Sequence, residues 1–505
     1  MSTISTAVGT ERKARVSGYK IKKGFFTNET PNLPQIIAVF GEANTANQTG
    51  LTVNPVEVTS ANQAGDLFGY GSPIHQIMRI LRPISGDGVG GIPTVVFPQI
   101  TDVAATATIL EFTVTGPADA NATHSLVING RDSVDFIGYD YSVVSGDTAA
   151  QVAQKIADAV NGNLSSPVTA TVLSNVVTFT TKWKGATSSE VDIQFDTRGK
   201  DAGLTYAQTD STLGAGDVDL ADSFALFGDN WYTSIINPYS DKLDQFEAFN
   251  GFPDDDAPTG RYSGLIFKPF MAFNGNLSGD IATLVAITDD ADRKGQCTNV
   301  ICPAPNSFAF TWEVAANYVR LFARIMQDTP HLDVNDKSLP DCPIPSDGNI
   351  GGMSDYNNRD LLVKKGCSTV ILENGAYKIQ DLVTTYHVDG ENPLQYNYAR
   401  NLNLDWNVSD SYRILERIRL KDKTLVGDNQ IVGVSGTKKP IEWKADLFDL
   451  FDDLAIKALI NDPQFSKDSL IVQISSTNPN RFETFFRYKR TGIARIESTD
   501  VEAGF

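Results

Sequence analysis

Two glycine-rich segments carry residue types that could bind phosphate or attack a carbonyl carbon. The first is GDGVGG at 86–91, but a dinucleotide-binding loop also needs a strand before it, a helix after it and an acidic residue about 20 positions on. The second, Gly433-Val-Ser435-Gly436, is one residue short of a nucleophile elbow and lacks its strand–helix context. No P-loop sequence is present. We interpret the first segment as a loop and the second as a turn.

The side chains that could bind a metal ion are scattered along the chain. Structural zinc usually uses closely spaced cysteine pairs, and only Cys297 and Cys302 lie near each other, five residues apart. The acidic run 254–256 lacks the alternate-ligand spacing of a calcium loop. We expect no catalytic, cofactor-binding or metal-binding residues; an acid–base pair assembled by the fold from distant residues is an open alternative. The remaining cysteines and the histidines are Cys342, Cys367, His75, His124, His331 and His387.

The composition indicates an acidic globular protein of about three domains, at roughly 150 residues per domain for 505 residues. A net charge of −19 argues against direct nucleic-acid binding, because phosphates must be neutralised by a basic surface. Four cysteines are too few for a disulfide framework and favour a reducing compartment. The N-terminus shows no apolar signal segment, and no stretch reaches the roughly 18–20 apolar residues of a membrane-spanning helix. We therefore expect synthesis in the cytoplasm without membrane insertion.

The first 25 residues form a basic arm on this acidic protein. They contain six lysines and arginines against one acid, Glu11, which gives a local net charge of +5. No helical apolar stripe runs through them, so we expect an extended N-terminal arm over 1–25. It is either a disordered tail or an arm that binds the acidic surface of another copy of the chain. The basic residues are Arg12, Lys13, Arg15, Lys20, Lys22 and Lys23.

Strand and helix signals after the arm predict an α/β domain interrupted by an insert. The middle domain is discontinuous, over 26–100 and 215–355, and Ser72 is the predicted N-cap of one of its helices. The insert, over 101–214, has several strand-like runs and one helix that begins with a capping box at Thr148.

Three further helices are predicted by their apolar stripes, over 307–328, near 409–420 and over 444–462. The Gly/Thr/Asp-rich stretch 199–217 predicts a linker that returns from the insert. Residues 356–505 make a C-terminal α/β domain that ends in a strand. The predicted fold class is therefore multidomain α/β (mixed α+β), with central mixed sheets flanked by helices, a β-rich insert and extended N- and C-terminal arms.

Six segments carry a family resemblance, both in sequence and in order. They are FGYGSPIHQIMRILRP (68–83), WYTSIINPYSDKLDQFEAF (231–249), residues 354–386, DSYRILERIR (410–419), KADLFDLFDDLAIKALIND (444–462) and residues 478–505. In this order the segments resemble the contractile tail sheath proteins of Mu-like bacteriophages and of related contractile injection systems. Agreement is poorest in 199–217 and 330–350, and Gln380 stands where the family more usually has arginine.

The resemblance implies a structural subunit with an outer insert and an inner C-terminal domain. It would polymerise as stacked hexameric rings around an inner tail tube, in contact with baseplate and tail terminator proteins. Contraction would drive the tube through a bacterial envelope, using energy stored at assembly as a difference between two packings. The resemblance places the protein in the tail sheath of a virion, assembled in the host cytoplasm, without a cofactor. Four scattered histidines offer no protonation trigger.

The resemblance also implies that neighbouring subunits exchange strands, so that the arm and C-terminal strand of one subunit complete a sheet in others. The segment FETFFRYK (482–489) alternates apolar and polar residues, and an unpaired terminal strand of this kind is an aggregation liability unless another chain pairs with it. The alternative is that the C-terminus pairs within its own chain. The candidate linking residues are the six basic residues of the arm together with Phe482, Phe486, Tyr488, Ile493 and Ile496.

Helix 444–462 is our candidate for the tube-facing surface. Its predicted buried stripe is Leu447, Phe451, Leu454 and Ala458. Acids on another face are typical of a solvated surface, but they could also form weak ion pairs that release on contraction. The candidate tube-facing residues are Asp446, Asp449, Asp453 and Lys457.

Three other functions are weighed against a phage tail sheath. The sheath of a phage-derived bacteriocin or injection particle would use the same polymer. A cytosolic hydrolase with an inserted domain would need a convergent catalytic pocket. A surface adhesin with β-rich modules would ordinarily need an export signal, which this sequence does not show.

Overall fold

The computed structural model describes residues 32–86, 88–391 and 395–504 of the chain. The predicted basic arm over 1–25 lies outside these residues. The described part contains eleven α-helices and several sheets in a mixed α+β arrangement, which confirms the predicted fold class. The domain boundaries drawn from the sequence remain a prediction.

The main sheet begins in the first hundred residues. Its central strand β1 is buried along its whole length, as expected of a parallel strand covered on both faces. Helix α2 begins as predicted, because Ser72 Oγ accepts from the His75 backbone N–H at 3.1 Å and Pro73 occupies the first helical position. The elements are β1 (Ile37–Glu42), β2 (Val56–Glu57), α1 (Ala61–Phe68), α2 (Pro73–Leu81) and β3 (Thr94–Gln99).

The insert follows β3 and packs one helix against two antiparallel sheets, ordered β12–β4–β10–β9 and β11–β5–β8. The predicted capping box is present, with the side chains of Thr148 and Gln151 each bonding the other's backbone N–H. The elements are β4 (Ile109–Thr115), β5 (Ala122–Ile128), β6 (Ser133–Val134), β7 (Ile137–Gly138), β8 (Asp140–Val143), α3 (Ala149–Asn161), β9 (Val168–Leu173), β10 (Val176–Thr181), β11 (Ile193–Asp196) and β12 (Thr205–Thr212).

The prediction of a linker over 199–217 is wrong for its central part. Residues Thr205–Thr212 form strand β12, which pairs antiparallel with β4 along its length. The strand is mostly exposed and polar, with only Tyr206 half-buried against Phe195, so it lacks the alternation that marks a half-buried strand. Its threonines favour extended backbone, and polar side chains are tolerated at a sheet edge.

The chain then returns to the main sheet, whose strand order is β15–β14–β13–β1–β3–β2. All neighbours in this sheet are parallel except β2 and β3. The predicted helix over 307–328 begins four residues later, at Thr311, and packs against β13 and β14. The elements are α4 (Ala221–Ala225), β13 (Ser234–Ile236), α5 (Leu243–Asn250), β14 (Met271–Asn276), α6 (Ile281–Thr288), β15 (Asn299–Pro303) and α7 (Thr311–Asp328).

The last 150 residues contain two long helices, of 21 and 17 residues, and four short two-stranded sheets. The elements are α8 (Tyr356–Lys364), β16 (Thr369–Glu373), β17 (Ala376–Asp381), α9 (Ala399–Arg419), β18 (Thr424–Leu425), β19 (Thr437–Lys438), α10 (Pro440–Ile456), β20 (Ile460–Asn461), α11 (Pro463–Ser469), β21 (Ile471–Ile474), β22 (Phe482–Phe485) and β23 (Lys489–Arg490).

Both C-terminal helix predictions are wrong in their bounds. The helix predicted near 409–420 begins ten residues earlier, at Ala399. The helix predicted over 444–462 begins at Pro440, which is favourable at a first helical position, and ends at Ile456. Ala458 has a left-handed backbone (φ +54°) and therefore lies outside the helical stripe. The other three predicted stripe residues, Leu447, Phe451 and Leu454, are buried.

Replacing Gly71 with alanine should destabilise the junction between α1, α2 and the insert. Its backbone has φ +84°, and an added Cβ would collide with the Ser166 carbonyl oxygen of the insert. We expect a loss of about 1–3 kcal/mol or more in the free energy of unfolding, measured by urea denaturation. The control is Gly264→Ala, where a Cβ would meet no atom within 4 Å. Equal losses in the two variants would contradict this account.

Candidate subunit-linking site

The C-terminal hairpin is a two-stranded sheet with open edges. Strand β21 pairs antiparallel with β22, from Ile471 opposite Phe485 to Ile474 opposite Phe482. No third strand joins this sheet within the part of the chain that the structure describes. Each outer edge therefore carries backbone groups that can pair with another strand.

One face of the hairpin belongs to the core of its own subunit. The side chains of Phe482, Phe486 and Tyr488 pack on a cluster built from α9 and α10. The ring of Phe486 lies 5.1 Å from that of Phe451 on α10, and Trp443 Nε1 donates to Thr484 Oγ1 at 3.2 Å. The predicted apolar face of 482–489 is thus buried against its own subunit. This is the arrangement expected if the C-terminus pairs within its own chain.

The opposite face of the hairpin carries one exposed apolar pair beside the polar pair Gln473 and Glu483. Ile471 and Phe485, which stand opposite each other in the ladder, are 56% and 52% exposed. Sequence analysis missed this pair because the alternation of 482–489 was assigned to a single apolar face. The signal was present in the two adjacent phenylalanines, which must point to opposite sides of a strand.

Beyond the hairpin, Asp405 on α9 holds the tail against its own subunit. Arg490 donates two hydrogen bonds to this carboxylate, from Nε at 2.8 Å and from Nη2 at 2.5 Å. Tyr488 Oη donates to Oδ1 of the same group at 2.7 Å. The carboxylate raises the pKa of Arg490 despite its burial. Bidentate contacts of this kind are among the strongest that charged side chains form.

A second set of contacts holds the tail up to Arg495. Arg400 Nη1 donates to the Thr491 carbonyl oxygen at 2.8 Å. Arg495 pairs with Asp333 and with Asp381, the latter at 3.0 Å, and its guanidinium lies 3.8 Å from the centre of the Tyr398 ring. Burial raises the pKa of Asp333, whereas Arg495 acts to lower it. These contacts fix the tail at one defined point.

After Arg495 the chain is extended and exposed. Residues 496–504 are exposed and make no hydrogen bond with the rest of the described chain. Ile493, just before the anchor, is half-buried, whereas Ile496 is 89% exposed. This last segment carries three acids, Glu497, Asp500 and Glu502, and no basic residue. Its charge is therefore opposite to that of the +5 arm at the other end of the chain. The six predicted linking residues of that arm lie outside the described residues.

Helix α10 presents a mixed surface rather than a purely acidic one. Asp446 pairs with Lys438 of the same subunit, Asp449 is exposed, and Asp453 and Lys457 are half-buried. The exposed residues of α10 also include apolar side chains that sequence analysis did not single out. They are Ile441, Phe448 and Ile456.

Metal-binding side chains do not converge in the described part of the chain. No group of three or more histidine, cysteine, aspartate and glutamate side chains there could hold a metal ion. The four cysteines are buried and form no disulfide, and burial raises the pKa of each thiol. None of the helices in the described ranges is long and apolar enough to cross a membrane.

Comparison with known proteins confirms the resemblance predicted from the six segments: the chain is similar to a tail sheath protein of a Mu-like prophage. It is 27% identical over 445 residues to the Mu-like prophage FluMu tail sheath protein of Haemophilus influenzae, and the match covers 84% of each chain. No protein-family model matches the chain.

Three solved structures are also similar to this chain in outline. The sheath tail protein of Desulfitobacterium hafniense has a TM-score of 0.44 and 12% identity, covering 94% of this chain and 100% of that one. A chain of the anti-feeding prophage baseplate has a TM-score of 0.44 and 8% identity, covering 97% and 100%. A chain of its contracted helical sheath has a TM-score of 0.38 and 7% identity, covering 97% and 99%. Because TM-scores below 0.5 do not establish a shared fold, the resemblance rests on the sequence relative.

Replacing Arg495 with alanine should release the end of the chain from its own subunit, because both carboxylate contacts and the contact with the Tyr398 ring are lost. Carboxypeptidase digestion followed by mass spectrometry should stop near residue 495 in the wild type and about five residues earlier in the variant. The control is Arg487→Ala, since Arg487 is exposed and its guanidinium lies 5.6 Å from the centre of the Phe485 ring rather than at the anchor. Trimming of Arg495→Ala to the wild-type position would contradict the anchor.

Proposed function

We propose that this chain is the structural subunit of a contractile tail sheath, which polymerises around an inner tube and contracts to drive the tube through a bacterial envelope. The observation that carries the proposal is the match to a tail sheath protein over 84% of the chain. The form of the C-terminus supports it independently. One subunit has both an open two-stranded hairpin and a tail that is extended and exposed after a fixed anchor.

Subunits are linked by strands that pass from one copy to the next. The hairpin of β21 and β22 is the acceptor, since added strands gain main-chain hydrogen bonds worth about 0.5–1.5 kcal/mol each. Residues 496–504 are the donor, and nine extended residues reach about 30 Å. The basic arm is the second donor. Because the tail segment is acidic and the arm basic, strands from two neighbours attract each other beside one hairpin.

The assembled particle follows from the same proposal. Subunits form stacked hexameric rings around the tail tube, between a baseplate and a tail terminator, in a virion assembled in the host cytoplasm. Contraction uses a difference between two packings that is small for each subunit and large when summed along a tail. A kinetic barrier keeps the extended state in place.

A sheath of a bacteriocin or injection particle would be built from the same subunit. A cytosolic hydrolase is not favoured, because the sequence relative is a tail sheath protein and the chain has no catalytic signature. The functional role assigned here is structural rather than enzymatic.

Electron microscopy of the full chain should show long striated hollow cylinders, alone or with purified tube. Deleting residues 1–25, or separately residues 496–505, should abolish the cylinders because each deletion removes one linking strand. The matched control is Arg487→Ala, which leaves both donors intact. Monomers from the full chain even in the presence of tube would contradict a sheath. Cylinders from both deletions would keep the sheath and discard strand exchange.

Charge reversal on α10 tests the predicted tube-facing surface. In the double variant Asp449→Lys with Asp453→Lys, tube-templated assembly should weaken, because weak ion pairs worth about 0–1 kcal/mol each become repulsive. The measurement is the fraction of tube that becomes sheathed at a fixed protein concentration. Asp210→Lys, on the exposed strand β12 of the insert, is the control. Unchanged sheathing in the double variant would remove the acids of α10 from the tube contact.

A further inference from the structure

The main sheet changes winding direction at its central strand. Strand β1 lies between β3 and β13, so the chain continues on one side of β1 and later returns on the other. In open α/β sheets the crevice beyond the carboxyl ends of such strands commonly binds a ligand. Here the insert covers that place. The nearest segment is a 3₁₀ helix, Ala186–Glu190, and a Cβ added at Gly185 would lie 3.4 Å from Glu42 Oε1.

The residue at this point of contact is Glu42, the last residue of β1. It is 1% exposed, and its Oε1 accepts a hydrogen bond from Thr187 Oγ1 of the insert at 2.8 Å. Thr187 Oγ1 in turn accepts from Trp183 Nε1 at 3.1 Å. The second carboxylate oxygen, Oε2, has no hydrogen-bond partner in the described structure. A buried carboxylate in this position is costly when ionised.

Glu42 is surrounded by other oxygen atoms that lack a partner. Gln99 stands opposite it on β3 and uses its amide group to donate to the Phe97 carbonyl oxygen and to Ser223 Oγ. Gln99 Oε1 remains unpartnered, as does the hydroxyl of Tyr239 after β13. The Tyr239 hydroxyl is close enough to Glu42 for each group to shift the pKa of the other, but the two side chains do not form a geometrically acceptable hydrogen bond. Of these three groups, only the Tyr239 O–H is a donor, so it can satisfy Glu42 Oε2 or Gln99 Oε1 but not both.

The charges around the site do not favour an ionised Glu42. Glu190 of the 3₁₀ helix is a second buried carboxylate and repels negative charge at Glu42. On the Tyr239 side lie Asp217, Asp241 and Lys242, and Lys242 is already paired with both acids, at 2.6 and 3.4 Å. Burial, with a smaller contribution from Glu190, raises the pKa of Glu42 to about 7.

We propose that Glu42 is protonated while the insert is seated, that is, packed on the main sheet, and that this contact weakens when the proton is lost. One proton on Oε2 supplies the donor that the site lacks, and Thr187 Oγ1 holds the other carboxyl oxygen. The contact between insert and sheet is thereby linked to pH. The inference does not depend on polymerisation, so it stands or fails separately from the sheath proposal.

The direction of the pH effect follows from the two protonation states. When the insert lifts away, Glu42 meets water and its pKa returns to about 4.5. Below that pH both states carry the proton, and the contact between the insert and the main sheet is strongest. Between about 4.5 and 7 only the seated state holds the proton, so the opening constant rises about tenfold per pH unit. Above about 7 both states are ionised and the constant levels off.

Hydrogen exchange with mass spectrometry measures this opening in the full-length protein. The readout is protection of peptides that cover 183–191, corrected for intrinsic exchange, at pH 5, 6, 7 and 8. In the wild type, pKa values of about 7 for seated and about 4.5 for open Glu42 make the opening constant rise about 40-fold from pH 5 to 7 and about 70-fold by pH 8, where it levels off. In Glu42→Gln the amide cannot ionise, so the part of the rise that Glu42 contributes should be lost. Burial also raises the pKa of Glu190 in the same peptide to about 7, so the double variant Glu42→Gln with Glu190→Gln is the one whose profile should be flat.

Glu57→Gln is the matched control, because Glu57 lies exposed on β2 of the same sheet and should leave the wild-type profile unchanged. A Glu42→Gln profile that rises like the wild type would overturn the proposal. Faster exchange in Glu42→Gln than in the wild type at pH 5 would do so too, since it would mean that the seated state needs the charge. If Glu42→Gln does not fold, a wild-type profile that is flat from pH 5 to 7 decides against the proposal by itself.

Discussion

Parallel pairing of β1 with β3 on one side and with β13 on the other holds the molecule together. These contacts join Ile37 to Thr94 and to Ser234, so the sheet is closed across a long stretch of intervening chain. Alternate residues of β1 serve two cores: Val39 belongs to the cluster with α2 and α7, and Phe40 stacks on Phe97 in an aromatic cluster on the opposite face. Disrupting β1 would therefore disturb both layers at once.

The main sheet determines where the insert lies. The chain leaves the sheet at the carboxyl end of β3 and returns beside the same point, where Thr101 bridges Val218, before α4 leads to the start of β13. Further contacts then fix the insert on the body. Arg131 pairs with Glu313 at 2.8 Å, Arg79 pairs with Asp135 at 2.7 Å, and Glu190 accepts from the Thr311 backbone N–H at 2.8 Å. The crevice that other α/β proteins use for ligands is filled here by the protein itself.

Local signals predicted local structure well, because a cap or a capping box acts over three or four residues. The starts of α2 and α3 at Ser72 and Thr148 are examples. Strand β12 was missed because an exposed edge strand needs no apolar alternation. The tail anchor could not be predicted, since Asp333 and Arg495 are separated by 162 residues and only the fold brings them together. For the same reason, the search of the sequence for a protonation trigger stopped at the four histidines. The burial of Glu42 at the end of β1, on which its proposed protonation depends, is created only by the fold.

The two halves of the proposed linking site are fastened to different parts of the subunit. The hairpin rests on α9 and α10, whereas the end of the tail is fastened to Asp333 and to Asp381 at the end of β17. A pull on residues 496–504 is thus delivered to these carboxylates and is not transmitted through the ladder between β21 and β22. In a sheath, tension from one neighbouring subunit would therefore leave intact the hairpin that binds a strand from a second neighbour. The network of links would then resist load as parallel tethers, in which the failure of one does not spread to the next.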